Sequence, residues 1–410
     1  MPPVTSTEQL HPARVADDDI VAFARAVNRH FFESEEDDDV LPWVESLADG
    51  YRAWWTRADD LVAGNLGVIE TEVSLPGGAH VPVAAITAVG VAQTMRRRGV
   101  MRGLMLACLA EAVEREEPVA GLFASEAPIY GRFGFGFAAA HLGYRIERSR
   151  VRFRDPVDVR LVEATTPEAA RAAWPAMHAT MRGTRGASVA KHPGLWDLGI
   201  VRDIPGWRGG ASARRLVEVP GRGYASYRVK ESFDGHLPNG SVRLLELVAT
   251  DPEAETALWQ HVLDVDLTTT VDVAYRPVDD ALAHLVTDHH ALRTSESAPL
   301  YLRILDVPRV LTSRTYAVRG TSVLEVVDPL GYADGRWRLD AGPEGAVCKP
   351  TDTEPDLVVP VASLPGIVHG GVRATTFRSA RRLEERTPGA AAALDRLMAV
   401  DLAPWTTAEF

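Results

Sequence analysis

A strand, a basic turn that ends in glycine and a helix follow one another in the first third of the chain, and this order constrains the fold most. Residues 83–91 are apolar, small or β-branched and carry no charge, which is typical of a strand buried on both faces. The polar turn at 93–99 leads into apolar residues that recur at helical spacing up to Pro118. A second apolar stretch at 119–124 predicts another strand, so the region forms a crossover unit with its helix between two strands.

The turn of this unit has the chemistry of a phosphate site. The first turn of a helix leaves backbone N–H groups without partners, and the helix dipole places partial positive charge there. Gly99 lets the backbone approach a ligand closely, and Arg96, Arg97 and Arg98 add positive charge. The alternative is a basic surface turn without a ligand, which the strand before and the helix after make the weaker interpretation.

Two motifs in this region resemble those of the GNAT acetyltransferase superfamily. The segment 96–101, Arg-Arg-Arg-Gly-Val-Met, resembles the superfamily's pyrophosphate loop, which is usually Gln/Arg-x-x-Gly-x-Gly/Ala. The segment 130–135, Tyr-Gly-Arg-Phe-Gly-Phe, resembles its tyrosine-to-Gly-Phe segment. Met101 departs from the small residue that is usual at its place, and this implies a loop that sits slightly wider around the pyrophosphate.

Length and C-terminal sequence extend the resemblance to nearly the whole chain. Its 410 residues end in Ala-Pro-Trp-Thr-Thr-Ala-Glu-Phe, similar to the Eis (enhanced intracellular survival) branch, where two GNAT units precede a sterol-carrier-like unit and the chain ends in a catalytic carboxylate. We therefore expect an α+β fold: tandem GNAT folds, each a mixed central sheet flanked by helices, followed by a sterol-carrier-protein-like α+β domain. The predicted division is a catalytic GNAT domain at 1–155, a degenerate, structural GNAT domain at 156–298 and the sterol-carrier-like domain at 299–410.

The second unit repeats the strand, turn and helix with the opposite charge at the turn. A strand predicted at 242–248 leads into Asp251, a good N-cap, and Pro252, which suits the first helical position. Glu253 and Glu255 complement the positive end of the helix dipole. This helix start would repel a pyrophosphate, so the residues predict a structural, catalytically silent copy.

The resemblance implies acetyl-CoA as the cosubstrate and assigns residues to it. Backbone groups of Val89 and Val91 would pair with the pantetheine arm, and a backbone N–H near Val89 would be the oxyanion donor. Ser125 would contact the cofactor or position Tyr130, and a purely structural role for it stays open. The pyrophosphate is assigned to the loop residues Arg96, Arg97, Arg98, Gly99, Val100 and Met101.

Three further residues are assigned to proton transfer and substrate. Tyr130 matches the general acid of the family; a phenol of pKa about 10 holds its proton at neutral pH and can protonate a departing thiolate. The alternative for Tyr130 is a core residue that packs the Gly-Phe segment. The terminal carboxylate of Phe410 is assigned as general base, which requires burial to raise its pKa or a substrate amine of lowered pKa. Glu409 is assigned to a second ammonium group of the substrate.

Composition and charge exclude several function classes. The net charge of −12 argues against broad phosphate contacts with nucleic acid and favours a cationic partner. Cys108 and Cys348 stand far apart in apolar settings, which indicates a reducing cytoplasm. The sequence starts without a hydrophobic signal core and has no apolar run long enough to span a bilayer, so we expect a cytoplasmic protein. The pair His289-His290 lacks a second ligand group at zinc spacing, and no metal is expected.

The predicted activity is an N-acetyltransferase that moves acetyl from acetyl-CoA directly to an amine within a ternary complex. Polycationic small molecules of the aminoglycoside type are the expected substrates. The acidic run at 33–39 is either a solvated loop or a rim that concentrates such amines. The alternatives are a lysine or peptide N-acetyltransferase with the same site, and a non-catalytic lipid or acyl-CoA carrier that uses the C-terminal domain. The resemblance also implies a homohexamer.

Overall fold

Strand pairing joins most of the chain into one large sheet. The structure, a computed structural model, describes residues 10–47, 49–408 and 410. Within these residues the strands form a sheet of 12 strands, a two-stranded hairpin and a sheet of five strands. The strands before residue 305 are β1 (Ala13–Arg14), β2 (Tyr51–Ala58), β3 (Leu61–Ser74), β4 (His80–Val91), β5 (Val119–Phe123), β6 (Gly136–Glu147), β7 (Glu163–Ala164), β8 (Arg215–Val219), β9 (Gly223–Lys230), β10 (Phe233–Asp234), β11 (Leu237–Pro238), β12 (Gly240–Ala249), β13 (Thr268–Arg276) and β14 (Thr294–Ile304).

Helices flank the sheets along the whole chain, and the predicted helices near residues 20, 101, 252, 363 and 390 are all present. The α-helices of the described residues are α1 (Ile20–His30), α2 (Asp37–Leu47), α3 (Val100–Glu114), α4 (Pro167–Arg182), α5 (Pro193–Trp196), α6 (Pro252–Leu263), α7 (Leu282–Leu285), α8 (Val307–Ser313), α9 (Leu364–His369), α10 (Ala374–Ser379) and α11 (Ala390–Leu397). Within the same residues, none of them combines the length and hydropathy that a bilayer-spanning helix requires.

Two units share the large sheet and exchange a strand where they meet. The strand order is β1-β2-β3-β4-β5-β14-β6-β13-β12-β9-β8-β7. β14 follows the rest of the sheet in sequence but lies between β5 and β6, because Leu302 pairs with Gly121 on one side and with Gly136 on the other. β6 in turn pairs with β13 of the second unit. The strand predicted at 300–307 as the start of the third unit therefore belongs to the large sheet.

The first unit opens where two of its parallel strands diverge. β4 and β5 pair only between residues 83–85 and 119–121, although β4 continues to Val91. On its other side β4 stays paired with β3, but the register shifts between Asn65 and Gly67, and Ala88 opposite has φ +51°. Within the described part of the chain, this β-bulge and the divergence leave the end of β4 without a strand partner on the side of β5.

The second unit repeats both features. β12 and β13 pair in parallel only up to Leu244 and Val273, and the register of β12 with β9 shifts between Leu244 and Glu246. Helix α6 follows β12 as α3 follows β4, with Asp251 as N-cap. The side chain of Asp251 accepts a hydrogen bond from the Ala254 N–H at 3.0 Å, as the sequence predicts.

The third unit is built on the sheet of five strands, in the order β17-β16-β15-β18-β19. Strands precede most of the helices in this part of the chain, which is the α+β arrangement that the sequence predicts. Its apolar core is continuous with buried residues of β3, β4 and β14. The strands of this sheet are β15 (Gly320–Val327), β16 (Gly335–Gly342), β17 (Gly345–Pro350), β18 (Leu357–Pro360) and β19 (Glu384–Glu385).

The acidic run at 33–39 is not simply a loop. Its last three residues are the first turn of α2, a helix that the sequence analysis did not predict. Acidic residues suit the first turn because they complement the positive end of the helix dipole. The acidic run contains no apolar residues at helical spacing, and for this reason periodicity could not identify the helix.

Candidate active site

The start of α3 is formed by a turn that only glycine fits well. Gly99 is the N-cap with φ +82°, in the left-handed region that strains other residues. Among the described residues, no side chain caps this helix end, and its first turn contains no acidic residue. The side chains of Arg96, Arg97 and Arg98 are exposed around it. The helix start therefore combines unpaired backbone N–H groups with three exposed arginines, and this combination suits a phosphate.

Two polar side chains orient the peptide group at the bulge of β4. The Asn65 side-chain amide is fully buried and donates a hydrogen bond to the Ala88 carbonyl at 2.5 Å. Its own oxygen is hydrogen-bonded to Nδ1 of His30 on α1. Because the carbonyl and N–H of a trans peptide point in opposite directions, the Val89 N–H points away from Asn65. This is the N–H predicted as oxyanion donor.

Tyr130 lies between two short 3-10 helices, at 127–129 and 131–133. Its side chain is 9% exposed and belongs to the apolar cluster between the sheet and α3, which also includes Ile86 and Leu104. Val89, Val91 and Met101 pack against the same cluster. Burial, with a smaller contribution from the charge of Glu126, raises the pKa of the Tyr130 phenol above its ordinary value. The phenol therefore stays protonated at neutral pH.

Phe410 lies where β4 and β5 separate. Its ring packs edge-on against Phe123, the last residue of β5, with the ring centroids 5.2 Å apart. It also contacts the buried cluster of Leu47, Ile69 and Ala85, and Ala85 is the last residue of β4 that pairs with β5. The chain end predicted to supply the general base is therefore partly buried beside the opening. Ser125, two residues beyond β5, is exposed, and Glu409 lies outside the described residues.

The segment before Phe410, which we call the tail (residues 403–408), is fixed by hydrogen bonds to the second unit and to β6 of the first unit. Chain ends usually fray unless they are tied down. Trp405 is 3% exposed, and its backbone N–H donates to the Gly186 carbonyl at 3.1 Å. Thr406 accepts from the Val189 N–H at 3.1 Å, and its carbonyl lies 3.0 Å from Nε2 of His141. These contacts hold the tail in place close to the chain end.

A cavity of about 660 Å³ opens on the α1 and α2 side of the bulge. Thr87 and Ala88 of β4 form part of its wall, so it reaches the peptide group described above. Its aromatic lining includes Trp43, which also packs in the cluster that Phe410 contacts. The full lining is Ala24, Val27, Asn28, Phe31, Glu33, Ser34, Asp39, Val40, Trp43, Thr87, Ala88, Gly206 and Trp207. Two of these residues are carboxylates and none is a lysine or arginine, which suits a cationic ligand.

Comparison with known proteins agrees with this geometry. Two profiles described as acetyltransferase (GNAT) domains match residues 11–138 and 187–304, and a sterol carrier protein domain matches 307–407. An uncharacterized N-acetyltransferase of Streptomyces avermitilis is 38% identical over 354 residues, which are 84% of this chain and 86% of the relative. The N-acetyltransferase Eis of Mycobacterium tuberculosis is 31% identical over 363 residues, 85% of this chain and 86% of that protein.

The chain belongs to the Eis family of N-acetyltransferases.

Solved structures confirm the Eis-type architecture over the whole length. The crystal structure of Eis1 from Mycobacterium abscessus has a TM-score of 0.84 at 28% identity and covers 97% of this chain and 100% of that one. A GCN5-related N-acetyltransferase from Anabaena variabilis has a TM-score of 0.82, covers 98% of this chain and 100% of that one, and shares the fold at 20% identity. The predicted tandem GNAT folds and sterol-carrier-like domain are thus confirmed, and so is an acetyltransferase activity of the GNAT type, which implies the use of acetyl-CoA.

The second GNAT unit of this Eis-family chain is closed at the corresponding place. Arg222 forms ion pairs with Asp251 and with Glu253 at the start of α6, at 2.6 and 2.8 Å. Where β12 and β13 separate, the buried guanidinium of Arg276 donates to the Leu247 carbonyl at 2.6 Å. Carboxylates thus occupy the helix end, and a side chain occupies the opening between the strands. Both features support the prediction that this copy is silent.

Several site residues of the Eis-family fold were not predicted from the sequence. The cavity residues Thr87, Trp43 and Trp207 come from three distant segments, and nothing local in the sequence indicates that they meet. Asn65 was identifiable in principle, because it is a polar residue inside the apolar strand sequence LVAGNLGVI. His289 and His290 lie exposed on a short 3-10 helix, as expected for a surface pair.

Proposed function

We propose that the chain transfers acetyl from acetyl-CoA to an amine of a polycationic small molecule of the aminoglycoside type, within a ternary complex. The observation that carries this proposal is the cavity at the bulge of β4, with the carboxylates of Glu33 and Asp39 among its aromatic lining. Such a cavity attracts ammonium groups through its charge, and its aromatic faces favour cations as well. The start of α3, beyond the end of β4, is basic and therefore suits an anionic group, the pyrophosphate of acetyl-CoA.

Residues of the first unit would hold acetyl-CoA. The backbone of Val89 and Val91, free on the side of β5, is available to the pantetheine arm. The exposed arginines and the uncapped N–H groups at Gly99 suit the pyrophosphate, with Val100 and Met101 beginning the helix behind them. Ser125 follows β5 and so belongs to the same end of the sheet. When bound, acetyl-CoA supplies an acetyl group activated as a thioester.

Three groups of the chain carry the chemistry in this proposal. The Val89 N–H donates to the carbonyl oxygen of the acetyl group as negative charge develops on it. The Tyr130 hydroxyl, kept protonated by burial, donates its proton to the departing sulfur. The terminal carboxylate of Phe410 accepts the proton of the substrate amine, and the Phe410 ring packs against apolar side chains beside the opening. Glu409 would bind a second ammonium group.

The two GNAT units would have different roles: the first would be catalytic and the second structural. We also propose, from the family alone, that the chain forms a homohexamer. A monomeric mass measured by light scattering would contradict the homohexamer. A cytoplasmic location is supported by Cys108 and Cys348, which are both free and buried.

The experiment is acetyl-CoA-dependent release of free thiol with a panel of aminoglycosides, simple diamines and lysine peptides, with acetylated products identified by intact mass. We expect turnover with aminoglycosides. Preference for lysine peptides would instead favour the peptide N-acetyltransferase, and no turnover despite acetyl-CoA binding would favour a carrier.

The cavity carboxylates can be tested with a matched pair of variants. Glu33→Gln should raise the KM for a polycationic amine about three- to tenfold, since it removes one charge from the cavity. Glu35→Gln changes the same charge two residues away, where the carboxylate pairs with Arg29 at 2.6 Å, and should leave that KM unchanged. Equal effects of the two variants would contradict binding at the cavity.

A further inference from the structure

The hydroxyl of Thr407, three residues before the chain end, is held by side chains of the second unit. Nε2 of His178 lies 2.9 Å from Thr407 Oγ1. Burial raises the pKa of the Glu246 carboxyl, but Lys191 and, to a smaller extent, the Thr407 hydroxyl hold it below its ordinary value. Glu246 accepts a further bond from the Tyr224 hydroxyl at 3.0 Å and an ion pair from Lys191 at 2.5 Å. We call Lys191, His178 and Glu246 the tail clamp.

Donors and acceptors in the tail clamp are ordered in one direction. A hydroxyl lowers the pKa of a carboxyl by directing its proton toward the carboxylate, so the Thr407 proton points to Glu246 and Nε2–H of His178 donates to Thr407. Burial holds the pKa of His178 near 3, so its ring is neutral and carries this single proton. Loss of the hydroxyl would leave the buried Nε2–H of His178 without its acceptor, which is unfavourable at a site this buried.

The clamp occupies the position in the second unit that the active site occupies in the first. Glu246 directly follows the register shift of β12, and Val89 lies in the corresponding bulge of β4. The helix-covered face beside it, which corresponds to the 660 Å³ cavity, is filled by an aromatic cluster. Trp174 and Tyr224 stack there with centroids 4.2 Å apart, and Trp405 of the tail completes the cluster.

We propose that the second unit has turned its residual active site into a docking site for the tail, and that the tail clamp positions Phe410 for catalysis in the first unit. Three residues reach at most about 10 Å, so fixing Thr407 restricts the terminal carboxylate to a small volume beside β4 and β5. Lys191, His178 and Glu246 are positioning residues in this account. The catalytic part of the inference rests on the proposed function of Phe410, whereas the docking part does not.

The test uses the isosteric change Thr407→Val in the full chain, with Thr407→Ser as the conservative variant that keeps the hydroxyl. The matched control is Thr250→Val, which removes an exposed threonine hydroxyl of the second unit that donates to the Arg222 carbonyl at 3.0 Å. Three quantities are measured for each variant: the rate at which carboxypeptidase releases Phe410, the kcat of thiol release, and the KM for acetyl-CoA.

For Thr407→Val we expect Phe410 release to accelerate and kcat to fall, each by about tenfold, with the KM for acetyl-CoA unchanged. Thr407→Ser and Thr250→Val should match the unaltered chain. Release and kcat that both stay unchanged in Thr407→Val would overturn the proposal. Faster release with unchanged kcat would support docking but would contradict a catalytic role for the chain end, so the two failures are distinguishable.

Discussion

Tyr130 owes its suitability as a proton donor to burial. The phenol is 9% exposed in an apolar cluster, and the raised pKa follows from the loss of water around the ionised form. The protonated phenol is therefore the populated form at neutral and mildly alkaline pH. A tyrosine that only packed the Gly-Phe segment would show the same burial, so kinetics must separate the two roles.

The Tyr130→Phe variant tests that role by its pH dependence. Since the raised pKa lies above 10, the unaltered chain should keep its kcat up to about pH 10 and lose it only as the phenol ionises at higher pH. Tyr130→Phe should lower kcat about a hundredfold at pH 7 and at pH 9 alike, with the KM for acetyl-CoA unchanged. The same raised pKa stabilises the fold below pH 10, and that contribution is lost as the pH rises through the pKa of the folded chain. A kcat unaffected by the substitution would leave Tyr130 as a packing residue.

Single residues could be predicted from the sequence where the signal was local. Gly99 and the arginines before it were identified from one short segment, because a helix start needs only its own turn and cap. Trp43, Thr87 and Trp207 belong together only after α2, β4 and a loop of the second unit have packed, so no short segment contains their pattern.

At the scale of elements, the two strand-turn-helix segments differ in the charge at the helix start. The start of α3 is uncapped and surrounded by arginines, whereas the start of α6 is capped by Asp251 and paired with Arg222. Both helices follow a strand with the same bulge and the same divergence from its neighbour. The two openings therefore differ in their turn residues and in the side chain of Arg276, not in topology.

Charge reversal at the start of α3 should weaken acetyl-CoA binding specifically. The double change Arg97→Glu, Arg98→Glu replaces two positive charges beside the predicted pyrophosphate with two negative ones, and we expect the KM for acetyl-CoA to rise at least tenfold. Arg381→Glu, Arg382→Glu reverses two adjacent exposed arginines in the third unit and should leave it unchanged. An unchanged KM in the first variant would show that the loop does not bind the cofactor.

Most helices and strands could be predicted from the sequence, but the pairing of the strands could be predicted only in part. The periodicity of residues 100–114 and the caps of α6 are properties of one segment. β14 was predicted as a strand, yet its place between β5 and β6 depends on pairing with residues about 180 positions earlier in the chain. The helix α2 was missed because its first turn is formed by acidic residues without apolar spacing.

At the scale of the whole molecule, a buried ion pair connects the third unit to the large sheet beside the first unit. Arg303 of β14 and Asp328, just after β15, have fully buried side chains and form an ion pair. A side chain at Gly134, in the Gly-Phe segment, would meet the Arg303 guanidinium at 2.6 Å. Leu330 and Tyr332 of the third unit pack against the cluster that contains Tyr130. The third unit therefore supports the segment that carries the predicted general acid.

Breaking this pair should destabilise the chain strongly. Asp328→Asn leaves the buried charge of Arg303 without its partner, and we expect a loss of about 3 to 5 kcal/mol in the free energy of unfolding, measured by denaturant titration. Glu344→Gln breaks the exposed ion pair of Glu344 with Arg319 and should change it by less than about 1 kcal/mol. Similar losses in the two variants would mean that burial of the Arg303 pair is not what links the units.

The account depends most on the chain end, where a tail held by the second unit brings Phe410 to the opening of the first. The decisive measurement compares kcat for thiol release with an aminoglycoside between the full chain and a chain that lacks Phe410. Phe410→Leu, which keeps the carboxylate at the same position, is the control, and acetyl-CoA binding is measured by calorimetry for all three. We predict at least about a hundredfold loss of kcat on deletion, little loss for Phe410→Leu, and equal acetyl-CoA affinities. An unchanged kcat after deletion would contradict the terminal base and with it the catalytic purpose of the tail.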